Sequence, residues 1–567
     1  MDENLDEQAI RELEQVLNTK IYPGTEIMRD VGTHHFVKSA GQSHRVLVPQ
    51  PSDDPYDPLI WSPLWKHITI FSAIVLSFSL NLGPLALAPM FPAYMEEWNS
   101  SLADVIQFTG VAILCLGFSN FIWVPIMVCF GRRPVAIFST LICVGSSIWR
   151  ALAPSYGSFM GACILNGLAA GPCESLMPQV IADIIFLHDR GKYQTLYFAL
   201  YFASLMVGPI ISGAMAQHTG WRSFWWFNTG LLVFTLVLNI FCFPETRYKR
   251  VWEAPGSEQQ APKGPVVAPI DNDKAVDEKI ERHDLDGLRA AELIPTGTNE
   301  PGADINLSQQ LTHQDPYLGR GTPSKKQFMP WQALEGANVF QELWVPFYLH
   351  LFPAVEFAAF VVSWSAGVFL VVNLSQSQVF AAPPYNFSSQ TVGLFNIAIL
   401  VGAMIGLVTS GPLSDWVAAR LTAKNGGIRE PEMRLLSMIP YVVIMIFGSI
   451  IVAVGYDRSW PWEAVVVIGY ACVGIQVAAL PSIASTYAID SFKPVTGSLM
   501  VTITVNKNLW GYGVGKFLTP WAEKSGFVPV IMMNMAMLTA FCAFGIVFWY
   551  WGKQIRGWTA NSFVHKL

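Results

Sequence analysis

Long apolar blocks alternate with short polar stretches along most of this 567-residue chain. A helix needs about 20 apolar residues to cross a bilayer, and it satisfies its own backbone hydrogen bonds there. The blocks therefore predict membrane spans at 68–89, 105–128, 135–153, 159–184, 195–216 and 224–243. A polar stretch of about 100 residues, 244–343, then interrupts the pattern with Pro, Gly, Gln and charge. Six more blocks follow at 346–372, 392–411, 435–454, 464–484, 499–518 and 528–551. The expected fold is an all-α membrane protein of twelve transmembrane helices in two pseudo-symmetric six-helix bundles. The expected division is a cytoplasmic N-terminal segment (1–66), a first bundle (67–243), a cytoplasmic linker (244–343), a second bundle (344–551) and a cytoplasmic tail (552–567). The linker is too polar to form a core and reads as largely disordered; 274–293 could form one short amphipathic helix.

Composition narrows the class. Hydrophobic residues make up 52% of the chain and charged ones 13%, about half the charge of a water-soluble domain. A net charge of −6 points to no nucleic-acid partner. Most of the eight cysteines, among them Cys115, Cys143, Cys163 and Cys472, sit in apolar blocks and read as packed thiols. The first 50 residues are polar and carry no cleavable signal, so the first span is expected to act as an uncleaved insertion signal.

Lysine and arginine in short loops set the orientation. With the N-terminus inside, the inner loops hold Arg132, Arg133, Arg190, Lys192, Arg420, Lys424, Arg429, Arg434 and Lys493. The outer loops and their borders hold only Arg150, Arg222, Arg458 and Lys524. Both termini are therefore expected in the cytoplasm. The glycosylation acceptors Asn99, Asn373 and Asn386 fall in loops that this topology places outside, and Asn306 falls in the linker.

The halves echo each other. Span two runs into Gly131-Arg132-Arg133-Pro134, and span eight into Gly411-Pro412-Leu413-Ser414-Asp415. Span five carries Gly208-Pro209 and Gly213, and span eleven carries Gly511, Gly513 and Gly515. Such residues loosen helices where two repeats rock around a midplane site, or simply let helices pack closely. Both readings remain open.

At these residues the chain resembles the fungal drug:proton antiporter branch of the major facilitator superfamily. Gly131 to Pro134 is similar to the tail of that superfamily's loop-2/3 motif, and Gly411 to Asp415 to its repeat in loop 8/9. Gly208-Pro209 with Gly213 resembles the antiporter motif of span five, and Pro244-Glu245-Thr246 the stop after span six. Asp54-Pro55-Tyr56-Asp57-Pro58-Leu59-Ile60-Trp61-Ser62 resembles a pre-membrane signature of many fungal members, with Ile60 in place of Asn. Pro383-Pro384-Tyr385-Asn386-Phe387 also looks like this group. The resemblance implies twelve spans and a proton-driven exporter. Two departures stand out. The loop-2/3 Asp that latches the halves in relatives is Val128 here, and the span-four Arg tied to proton coupling is Cys163.

An ionisable group at membrane depth is costly unless paired or wetted, which makes each one a candidate. Glu174 in span four, Glu356 in span seven and Lys507 in span eleven qualify. Either both acids face a central cavity and exchange a proton for a cationic substrate, or one pairs with Lys507 and holds helices together. Asp183 reads as part of an interfacial charge network. Among Tyr197, Tyr201, Trp364, Tyr470, Trp510 and Tyr512, the two tryptophans are favoured as a cation-π wall. His350 reads as a packed or interfacial histidine. Asn81 could hydrogen-bond substrate or a neighbouring helix.

The expected function is secondary transport of a small cationic or amphipathic organic molecule by alternating access, with proton-coupled export. An importer of an organic cation such as a polyamine is the first alternative, implied by related fungal carriers. A non-transporting receptor on a carrier fold is the second, disfavoured by the short C-terminal tail. The glycine-arginine run lacks the spacing of a phosphate loop, and no metal cluster or nucleophile–base pair stands out. Neither an enzyme nor a cofactor is expected. The expected partners are substrate, protons and lipid around a monomer, in the plasma membrane rather than the vacuolar one.

Overall fold

The computed structural model describes residues 22, 25–27, 54, 56–248, 320–329, 339–425, 428–492, 495–560 and 562. The helix predicted at 274–293 and the acceptor Asn306 lie outside the described residues.

The described residues form twelve membrane crossings. Span one is α1 (Pro63–Asn81), continued after a break by α2 (Phe91–Trp98); spans two and three are α3 (Leu102–Phe130) and α4 (Arg132–Leu152). Span four is two helices, α5 (Tyr156–Ala170) and α6 (Pro172–Ile184), and the first bundle closes with α7 (Leu187–His218) and α8 (Trp221–Cys242). A separate helix, α9 (Val339–Leu349), precedes span seven, α10 (Pro353–Phe380). Span eight is α11 (Ser389–Leu394) running into α12 (Asn396–Lys424). The rest are α13 (Ile439–Asp457), α14 (Ala471–Ser491) with a π-helical lead-in, α15 (Thr496–Ser525) and α16 (Phe527–Thr559).

Ten of these crossings are long and apolar enough to be recognised by length and hydropathy alone. The other two carry a break or a polar run. Span four is cut into pieces of 15 and 13 residues, and α15 holds Asn506, Lys507 and Asn508 in a row. Proline accounts for the cuts: it lacks the N–H that would continue a helical ladder, yet fits a helix's first turn. Pro172 and Pro353 each stand in a first turn. In span one, Gly83-Pro84 follows the end of α1, and residues 83–87 are turns.

Span seven differs from its prediction. The apolar run begins at Pro346, but the membrane helix begins at Pro353 and continues to Phe380. The predicted end was set by Asn373, Ser375, Gln376 and Ser377, whose polarity looks like a loop. All four are buried. Asn373 Nδ2 donates to Asn396 Oδ1 at 3.1 Å, and Ser375 Oγ to Tyr456 at 3.4 Å. Asn373 as a glycosylation site is therefore corrected: a fully buried amide inside a helix offers a sugar no room. Asn99 sits in an exposed turn, and Asn386 is exposed just after one.

The start of α1 and the end of α16 lie on one face, here called the near face; Asn99 and Asn386 lie on the far face. Each bundle carries an arginine clamp at the near face. Arg132 Nε pairs with Asp183 at 2.9 Å, and Asp183 also accepts from Thr246 at 3.0 Å. In the second bundle Arg434 joins Asp415 and Asp490, each at 2.8 Å. Glu245, at the end of the first bundle, reaches back to the start of α4. Its carboxylate accepts from the backbone N–H of Arg132 at 2.8 Å and of Arg133 at 2.9 Å, capping α4. A carboxylate at a helix N-terminus is favoured by the dipole and the unpaired N–H groups there.

The pre-membrane signature is a docking piece. Asp57 caps the 3-10 turn Pro58–Ile60 through the Leu59 N–H at 2.9 Å. Trp61 is fully buried and bridges to Gly321, while Gln327 Nε2 donates to the Tyr56 carbonyl at 3.1 Å. Across the same face β1 (Glu26–Ile27) pairs antiparallel with β2 (Ile428–Arg429). There Thr25 Oγ1 donates to Glu430 at 2.9 Å.

The bundles meet mainly through α3 against α15, and α7 against α11 and α12. The second contact is backbone on backbone toward the far face. A Cβ at Gly213 would stand 2.5 Å from the Ser389 carbonyl oxygen, and one at Gly393 2.6 Å from that of Pro209. Gly208 packs as tightly on Leu82, beside the break in span one.

Candidate functional site

Between the bundles lies a cavity of about 1040 Å³, counting its open mouth. Its walls come from spans one, two, four, five, seven, ten and eleven. At 1.5 Å per helical residue, Met500 stands about 6 Å from the start of α15, and Ser485 about 9 Å from the end of α14. The cavity thus extends from mid-membrane toward the near face, while the glycine contacts close the far side.

The wall is mostly apolar and aromatic: Phe198, Phe202, Phe369, Leu370 and Met500 are representative. Glu174 and Lys507 break it. The break after Ala170 allows this placement. Gly171 packs directly on Ser119 Oγ, where a Cβ has no room, Pro172 restarts the helix, and Glu174 falls in the first turn of α6. A carboxylate there gains from the N-terminal end of the helix dipole.

Glu174 is buried and fully engaged. Oε1 accepts from Lys507 Nζ and, at 2.6 Å, from the Tyr201 hydroxyl; Oε2 accepts from Asn508 Nδ2 at 3.1 Å. Lys507 Nζ also lies 3.1 Å from the Tyr201 oxygen and 5.5 Å from its ring centre. The Tyr197 hydroxyl donates to the carbonyls of Cys173 at 3.3 Å and Glu174 at 3.2 Å, near the helix break. The acid belongs to the first bundle and the lysine to the second, so the ion pair ties the two together. Taking both charges out of water is costly, and good geometry with further hydrogen bonds is what makes it tolerable.

The other sequence candidates divide. Asn81 lines the cavity, donating to Ser204 Oγ at 3.0 Å. Glu356 does not line it. Because the membrane helix starts at Pro353, Glu356 falls in the first turn of α10, partly exposed, 2.5 Å from His350 Nδ1 and 3.5 Å from Asn506 Nδ2. Facing acids across the cavity are thus replaced by an acid facing a base. Trp364 and Trp510 do not line it either; their rings pack 5.1 Å apart, and Trp364 also stacks on Phe541. Their place is taken by Tyr197 and Tyr201, one helical turn apart on α7. Gly131, Arg132 and Arg133 belong to the near-face network, Gly208, Pro209 and Gly213 to the packing of α7. Asp415 is exposed and paired with Arg434. Gly411 has open space where a Cβ would go.

Sequence reasoning missed the burial of Arg150. It was counted at an outer border, yet it is fully buried at the end of α4, its guanidinium 4.5 Å from the Trp225 ring. Its Nη1 would lie 3.1 Å from a Cβ at Gly83, and Cys163 sits alongside. A basic residue closing an apolar block looks like a loop border unless the aromatic cover from other helices is known.

Residues 69–506 match the family model described as Major Facilitator Superfamily. The chain is 25% identical over 541 residues to a protein of Schizosaccharomyces pombe named uncharacterized MFS-type transporter C1271.10c, covering 94% of this chain and 91% of that one. It is 26% identical over 551 residues to Protein HOL1 of Saccharomyces cerevisiae, covering 92% of each. It is 23% identical to a probable efflux pump, mfs2, of Aspergillus flavus, covering 84% of this chain and 100% of the relative.

Proposed function

The chain belongs to the Major Facilitator Superfamily, and on that footing we propose that this multi-pass membrane transporter exports a small cationic or amphipathic organic molecule by proton-coupled alternating access. The observation that carries the reading is a buried carboxylate, Glu174, held by a lysine of the other bundle inside an apolar cavity. Once Lys507 lets go, an acid in such a place must take a proton or another cation, and those are the two cargoes an antiporter exchanges. The bundles pack by backbone contact on the far side and leave the cavity reaching toward the near side, as expected of one end state of a rocking carrier.

In this proposal the near face is cytoplasmic, the membrane is the plasma membrane and the carrier works as a monomer. Substrate then enters from the cytoplasm and meets Glu174. Rocking exposes the site to the outside, where substrate leaves and a proton takes its place. Asn81, Tyr201 and Asn508 orient the ligand.

The test is flux in reconstituted vesicles of known sidedness under an imposed pH gradient, with rhodamine 6G, a fluorescent amphipathic cation, as probe. Movement out of the near-face compartment, against an inward proton gradient, is expected. Movement only in the opposite direction would make the protein an importer. Flux indifferent to the gradient would sink proton coupling.

A further inference from the structure

Lys507 already brings into the cavity the chemistry that a protonated amine would bring. Its ammonium sits on Glu174 Oε1, 3.1 Å from the Tyr201 oxygen and over the face of the Tyr201 ring. The second carboxylate oxygen is taken by Asn508. Only one position on Glu174 is therefore contested, and it is fitted to a cation that donates N–H. The lysine is also the more accessible member of the pair, 18% exposed against 6% for Glu174, on a flexible four-carbon stem with three donors. Apolar wall surrounds this one charged point. Phe198, Phe202, Phe369 and Met500 would cover a hydrocarbon body but offer a second charged group nothing.

Resting on the carrier reading above, we infer that Lys507 is a tethered competitor of the substrate. Its ammonium holds Glu174 while the carrier has neither substrate nor proton on that acid, and an amphipathic amine displaces it through its own N–H-bearing ammonium. The exchange keeps the buried carboxylate compensated at every stage, and the displaced Lys507 ammonium swings on its flexible stem toward the cavity's open mouth. It also replaces the covalently anchored tie between the bundles with a free ligand. Loading would thereby bias the rocking equilibrium through a difference in contacts, the only way a ligand can. A quaternary ammonium has no N–H to give Glu174 Oε1 or the Tyr201 oxygen, so it should compete poorly.

Equilibrium binding of radiolabelled hexylammonium and hexyltrimethylammonium to the purified full-length protein tests this. Lys507→Met should tighten hexylammonium binding at least tenfold, Lys507→Arg should not, and Glu174→Gln should abolish it. The trimethyl analogue should bind at least tenfold more weakly than hexylammonium to Lys507→Met. A second readout is labelling of Glu174 by dicyclohexylcarbodiimide, which attacks carboxyl groups in their protonated form. Labelling should be slow in wild type and in Lys507→Arg, fast in Lys507→Met, and suppressed by hexylammonium there. Equal hexylammonium affinity in wild type and Lys507→Met would overturn the competition, and so would equal labelling rates. Equal binding of the two amines would overturn the N–H requirement. Both measurements need no transport, so they separate from the carrier reading: a binding switch without gradient-driven flux leaves this inference standing and refutes that one.

Discussion

Gly393→Ala should push the carrier out of the state described here. The added methyl would meet the Pro209 carbonyl oxygen at 2.6 Å, well inside van der Waals contact, and both partners are backbone. Neither can rotate away, so α11 and α7 must separate by a few tenths of an ångström. Overpacking of this kind costs about 1–3 kcal/mol. The cost falls only on the conformation in which the far side is closed. The ratio of open to closed should therefore rise roughly 5- to 150-fold, the factor that such a free-energy difference gives. The assay places a reporter thiol at Leu370, on the cavity wall, in a protein whose eight native cysteines have been replaced. A membrane-impermeant cationic thiosulfonate is then added from the far side. Labelling of Gly393→Ala should be at least 5-fold faster than of its parent. Gly411→Ala is the control: beyond its own helix turn no atom lies within 4 Å of its Cβ position, so its rate should match the parent's. Equal rates for Gly393→Ala and Gly411→Ala would refute the idea that this contact seals the far side.

Three further outcomes follow from the near face and the sugar sites. Glu245→Ala should destabilise the first bundle by about 2–4 kcal/mol, because it strips two charge-assisted hydrogen bonds from the start of α4; thermal denaturation of the purified protein reads this, and an unchanged midpoint would contradict the capping role. If the far face is extracellular, Asn99→Gln and Asn386→Gln should each lose a glycan on gels. Asn373→Gln should lose none but lower the midpoint, since it breaks the bond to Asn396.

The sequence announced most of the architecture because a bilayer is an undemanding reader. It asks for about 20 apolar residues, and the blocks supply them. It says less about where a polar residue inside such a block points. Asn373 and Ser375 looked like a loop because polarity was read without the partners that bury it, Asn396 and Tyr456. The same misjudged span, begun at Pro346 instead of Pro353, moved Glu356 into the core of the membrane. Glu174 was legible for a firmer reason: an acid two residues after Gly171-Pro172 is an acid at a break. Its pairing with Lys507, a residue more than 300 positions away, was open as one of two readings. The structure joins them, a cavity lining and an inter-bundle tie at once. Tyr201 gave no local signal beyond its spacing from Tyr197, and Asn508 none beyond its neighbour. The tryptophans misled because size and span number say nothing about which face of a helix they occupy.

The most direct test compares two single-carboxylate variants in one transport assay. Reconstituted wild type, Glu174→Gln and Glu356→Gln are given rhodamine 6G and the same imposed pH gradient. With Glu174 as the shared cation site, Glu174→Gln should lose gradient-driven flux by about tenfold or more, a barrier of at least ~1.4 kcal/mol. Glu356→Gln, which disturbs only the contacts with His350 and Asn506, should keep most of it. Wild-type flux in Glu174→Gln, or a loss confined to Glu356→Gln, would contradict the assignment.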